Sequence, residues 1–94
     1  MPKYNQHEVH NNLARSFFRL GKFDQAVRHW NEAIQIDPDY AEAHYNLGVV
    51  FAQQGKLDEA ITQFKKTLEL RPDYPGASEN LAKAQSLWEK ANGR

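Results

Sequence analysis

An all-α chain of five helices, stacked as antiparallel pairs, is predicted by three observations. The sequence repeats itself at an offset of about 34 residues, its apolar residues recur at helical spacing, and glycine or proline stands where each helix should stop. At that offset Glu8 falls on Glu42, Asn12 on Asn46, Leu13 on Leu47, Phe17 on Phe51 and Gly21 on Gly55. Trp30 meets Phe64, and the run Pro38, Asp39, Tyr40 meets Pro72, Asp73, Tyr74. The stretch Ala41 to Tyr74 is the sharper copy, and a diluted one precedes it.

Taken in order, Asn5 followed three residues later by Glu8 has the spacing of a capping pair, so the first helix should start there. Val9, Leu13, Phe17 and Leu20 form its apolar stripe, and Gly21 can take the left-handed conformation that ends it. Phe23 to Ile36 forms the second helix, with Phe23, Ala26, Val27, Trp30, Ala33 and Ile34 on one wide face. Asp37-Pro38 stops it, because a residue before proline is pushed away from helical geometry. Asp39 and Glu42 repeat the capping spacing and open the third helix, whose apolar residues are Ala43, Leu47, Val50 and Phe51 before Gly55 closes it. Leu57 to Leu70 forms the fourth, ended by Arg71-Pro72. The fifth should begin around Tyr74 to Pro75, with proline tolerated in its first turn, and run to about Ala91. It keeps Leu81 and Ala82 in register yet turns polar at Gln85, as a terminal lid would. Of Leu87 and Trp88, one is expected to pack on the fourth helix and the other to stay half exposed.

With 94 residues the chain is expected to be a single domain, 1–94. A globule of that size buries only about 60–65% of its unfolded surface. A stack meets this limit by burying each unit against its neighbours. The formal net charge is zero with both signs interspersed, which gives no general attraction to nucleic acid or to an acidic membrane. Without cysteine there is no disulfide frame, thiolate zinc site or cysteine nucleophile. The N-terminal run lacks the apolar core of a secretory signal and no apolar run could span a bilayer, so a soluble, cytoplasmic protein is expected.

In the second unit His44, Leu47-Gly48, Phe51, Ala60, Phe64 and Pro72 stand in the order and spacing of the tetratricopeptide repeat, and in the first His10, Leu13-Ala14, Phe17, Ala26, Trp30 and Pro38 do. The chain therefore resembles that family from about His7 to Leu87, departing from it with His at the first aromatic place twice and with Ala14 where glycine is usual. The resemblance implies a right-handed superhelical α-solenoid, with residues 7–40 as the first repeat, 41–74 as the second and 75–91 as a capping helix. It also implies a non-enzymatic scaffold that presents a concave face, lined by the first helix of each repeat, to a protein or peptide.

Carried over to this sequence, that face holds Asn11, Asn12, Arg15 and Arg19 from the first helix, and Glu42, Tyr45, Asn46, Val49 and Gln53 from the third. The lid adds Asn80 and Lys83. Asn12, Asn46 and Asn80 recur at the repeat spacing and form a ladder similar to that of the repeat superhelix in O-linked N-acetylglucosamine transferases. An amide offers donor and acceptor together and can pair with a peptide backbone without reading its sequence; the alternative is that these side chains bond within the stack. Arg15 and Arg19 share a helix face, and with Lys83 they suit an acidic peptide. Family members that clamp the C-terminal carboxylate of chaperones use a further basic pair where this chain has Gly76 and Asn80, so that mode is not expected. His7 and His10 have metal-sharing spacing but no third ligand at the right distance in sequence, and no catalytic constellation or cofactor motif is present. The rival reading is a self-assembling repeat unit, or part of a longer array, joined through an uncovered N-terminal end.

Overall fold

The computed structural model describes residues 5–93, and among them five helices follow one another: α1 (Gln6–Arg19), α2 (Phe23–Ile36), α3 (Ala41–Gln53), α4 (Leu57–Leu70) and α5 (Ala77–Ala91). Each packs on the next in sequence, and α5 also touches α3. The stack measures 52 × 28 × 19 Å. None of the described helices is long and apolar enough to cross a membrane.

Small residues set the helix crossings. Ala14, Ala26, Ala33, Ala43, Ala60 and Ala77 are fully buried, and larger side chains fill the spaces beside them. Trp30, Leu47 and Val50 close the layer formed by α1, α2 and α3. Phe64 and Ala84 close the layer below it. The closest approach is at Gly48, where a Cβ would lie 2.5 Å from Cε1 of the Phe64 ring. In the first pair the wider Ala14 stands at the same place.

The ends of α1 and α3 are built alike. Lys22 N–H donates to Phe17 O at 2.9 Å and Gly21 N–H to Phe18 O at 3.0 Å, and Lys56 and Gly55 repeat these bonds to Phe51 O and Ala52 O. The pattern needs a left-handed residue, supplied by Gly21 at φ 75° and Gly55 at φ 77°. Nothing lies within 4 Å of a Cβ added at Gly55, so only backbone strain opposes it. Gly55→Ala is expected to cost about 1–2 kcal/mol, read from urea unfolding.

Four details differ from the sequence expectation. Asn5 does occupy the N-cap of α1, but its oxygen caps no amide; its Nδ2 donates to Glu8 Oε1 at 3.4 Å, and its main-chain carbonyl takes the Glu8 and Val9 amides. The N-cap of α3 is Tyr40, because the Asp39 amide is drawn into a local turn by Asp37 Oδ1 at 3.2 Å. Pro75 lies in a turn ahead of α5, since Gly76 takes φ 84° and the helix can begin only at Ala77. On α1 the expected stripe is largely uncovered: Val9 is 37%, Leu13 42% and Leu20 70% exposed, while Asn11 and Ala14 carry the burial. Leu13 has the register of Leu47, which is 1% exposed because α2 covers it, and no described helix stands before α1 to do the same. At the other end Leu87 is 53% exposed and Trp88 is half-buried.

Candidate binding groove along α1, α3 and α5

The repeat places side chains of α1, α3 and α5 in four rows running across the helices. Glu8 and Glu42 form the first, with Gly76 in line on the turn before α5. Asn12, Asn46 and Asn80 form the second; Arg15, Val49 and Lys83 the third; Arg19, Gln53 and Leu87 the fourth. Spacings of three and four residues keep every row on the same side of its helix.

Two shallow hollows open along the third and fourth rows. One, of about 220 Å³, is lined by Val49, Ala52, Gln53, Asn80, Lys83 and Leu87 over a floor of Phe64 and Ala84. The other, of about 240 Å³, is lined by Arg15, Arg19, Asn46 and Val49 over Phe18 and Trp30. Val49 lines both, so the two hollows adjoin at α3. Of the residues singled out from sequence, Arg15, Arg19, Asn46, Val49, Gln53, Asn80 and Lys83 therefore come together, while Asn12 is exposed outside the hollows. Glu42 and Tyr45 are half-buried and turned toward neighbouring helices.

Sequence reading placed Asn11 on the open face; it is a buried hub. Its Oδ1 accepts the Trp30 indole N–H at 2.8 Å and an Asn46 N–H at 3.3 Å, and its Nδ2 donates to Glu42 Oε2 at 3.0 Å. In the second pair Tyr45 takes the place of Asn11 and Phe64 that of Trp30. With no indole N–H to satisfy, Tyr45 packs on Phe64 at 5.8 Å between ring centroids, and its hydroxyl accepts from Asn80 Nδ2 at 2.8 Å. Asn46 and Asn80 thus each spend one N–H on the preceding first helix, and each retains a second N–H and a carbonyl oxygen.

The histidines serve the helix pairs. His44 is 7% exposed; its Nε2–H donates to Pro38 O at 2.9 Å and its Nδ1 faces the Gln63 side chain at 2.8 Å. His10, one repeat earlier, meets His29 at 3.1 Å between Nδ1 atoms and Glu32 at 3.4 Å. His7 faces Asp37 at 3.8 Å. Among the described residues no three His, Asp or Glu side chains converge on a common metal position.

Around the first row two tyrosines are perturbed. Burial, then the Glu42 and Glu8 carboxylates, pushes Tyr40 up to about 12 against the opposing charge of Arg15. Tyr74 is raised by burial and then by Glu42 and Tyr45. An unfolded phenol ionises near pH 10. The folded chain holds the Tyr40 proton longer, so stability is complete below about pH 10 and falls as pH rises toward 12. Tyr40→Phe is expected to flatten that decline without abolishing it, since Tyr74 shifts in the same direction; urea melts at pH 9 and 11.5 measure the difference.

Comparison with known families decides what kind of stack this is. A pattern described as TPR repeat matches residues 14–55, and the tetratricopeptide repeat pattern matches residues 41–74. The chain belongs to the tetratricopeptide repeat family. Two repeats are followed by a fifth helix that packs as a cap on α4. No curated protein sequence matches it.

Among solved structures, the second TPR of Spaghetti (RPAP3) bound to the HSP90 peptide SRMEEVD superposes with a TM-score of 0.88 at 22% identity, over 94% of this chain and 82% of that one. The first TPR of the same protein, bound to the same peptide, gives 0.83 at 29% over 87% and 65%. The second TPR domain of human RPAP3 in complex with the HSP70 peptide SGPTIEEVD gives 0.79 at 28% over 85% and 67%. MamA gives 0.84 at 26%, and this tetratricopeptide repeat chain spans about half its length, 49%.

Proposed function

We infer that this chain is a non-enzymatic interaction module that holds an extended peptide across α1, α3 and α5. The observation that carries the reading is that the two hollows adjoin at Val49, with Asn46 and Asn80 in their walls. Apolar side chains of a ligand would enter between Val49 and Leu87, and its main chain would meet the free amide groups of the asparagines. Arg15, Arg19 and Lys83 favour acidic side chains there. Peptide-bound tetratricopeptide repeat structures at 28% and 29% identity support the same use of the fold, and their peptides are acidic. Gly76 and Asn80 stand where a chaperone-tail clamp would place its further basic pair, so recognition here rests on the arginines of α1. Titration of a labelled acidic peptide tests the reading. Arg15→Glu and Asn46→Ala should each weaken binding several-fold, and unchanged affinity in both variants overturns it.

A second reading rests on the uncovered apolar edge of α1 formed by Val9, Leu13 and Leu20. Self-association through that edge would bury it. Sedimentation across a concentration series separates the two, since a monomer throughout removes self-assembly.

A further inference from the structure

The groove is not uniformly basic, and the division of its charge specifies a ligand more narrowly than an acidic peptide. On α1 the order along one face is Glu8, Asn12, Arg15, Arg19, and on α3 it is Glu42, Asn46, Val49, Gln53. The amide row is therefore bordered by carboxylates on one side and by Arg15 and Lys83 on the other. Glu8 and Arg15 stand seven positions apart, about 10 Å along the helix. Glu8 on α1 and Glu42 on α3 both add to the burial that raises Tyr40. Glu42 gives one oxygen, Oε2, to Asn11 and leaves Oε1 outside that bond. Tyrosine rings flank this edge, and Arg71 already lies over the Tyr74 ring at 5.1 Å, a contact that a ligand cation could imitate.

An extended chain sends successive side chains to opposite sides. Laid along the asparagine row, its odd residues would reach one border and its even residues the other. We propose that the groove selects an extended segment whose basic and acidic side chains alternate: basic residues toward Glu8 and Glu42, acidic residues and a central apolar residue toward Arg15, Val49 and Lys83. The proposal rests on the peptide-binding reading above and adds the sign expected at each position. It also accounts for Glu42, a carboxylate that a purely acidic ligand would have to approach against repulsion.

Two labelled peptides of identical composition test it. In Lys-Glu-Lys-Leu-Lys-Glu-Lys the two signs fall on opposite sides of an extended chain; in Lys-Lys-Glu-Leu-Glu-Lys-Lys no orientation separates them. Fluorescence anisotropy with the full chain should show the first binding about three- to tenfold tighter, a preference that shrinks with added salt. Glu42→Gln retains an acceptor for Asn11 and should bring the ratio of the two peptides' affinities toward unity. Equal binding of the two peptides, with amide shifts at Asn46 and Val49, overturns the alternation and leaves the groove reading standing. Binding of neither peptide while a labelled acidic peptide still binds overturns the alternation alone; amide shifts confined to other faces with all three peptides overturn both.

Discussion

Phe64→Ala is expected to remove about 3–5 kcal/mol of unfolding free energy, most of what a domain of this size possesses. The ring is 1% exposed and wedged among α3, α4 and α5. Gly48 meets its face, while Tyr45 and Ala84 pack around it. Neighbouring backbone cannot collapse into the void without moving two helix crossings. Urea unfolding at 25 °C followed by circular dichroism gives the number, and a loss below about 1 kcal/mol would mean that the crossing at Gly48 is not packed as described. The reciprocal change is informative. Gly48→Ala gains about 1 kcal/mol of helix propensity, yet it drives a methyl group into the ring, and overpacking typically costs about 1–3 kcal/mol. Destabilisation should win, and shortening the ring to leucine in the same molecule should recover part of the loss.

Asn11→Ala is the second large effect, expected at about 2–4 kcal/mol. It strands the indole N–H of Trp30, which is 2% exposed, and removes the donor to the Glu42 carboxylate and the acceptor for Asn46. One buried unsatisfied donor costs about 1–3 kcal/mol, and loss of a bond to a charged group adds to it. Trp30→Phe in the Asn11→Ala background should return part of the stability, because the second pair already runs without this bond, using Tyr45 and Phe64. Such rescue is measured by a double-mutant cycle in urea.

The contrast between these two sites explains how far the sequence could be read. Gly48, Ala60 and Phe64 were legible as places in the repeat pattern, and small and large residues in such register have one physical use, a close helix crossing. The glycine ends of α1 and α3 were legible for the same reason. Asn11 was not, since helical periodicity assigns a polar residue outward, and only the indole N–H of a residue nineteen positions away requires it inside. The exposed Val9 and Leu13 were misread by the same rule: periodicity tells which side is apolar and nothing about whether a neighbour covers it. In the groove, the rows and the basic residues followed from the repeat, whereas the inward bonds of Asn46 and Asn80 depended on Asn11 and Tyr45, two positions where the copies diverge. The late start of α5 turned on the conformation of Gly76, for which the second copy offers Glu42 as a misleading guide.

The inward bonds of Asn46 and Asn80 have a mechanical consequence. Each spans a repeat boundary, so the amides that a peptide would meet on the proposed reading are aligned only while neighbouring repeats remain stacked. A bound peptide crossing both boundaries would act as a splint, resisting the separation of one repeat from the next as well as the melting of any single helix. Ligand and stack would then yield together, in one transition.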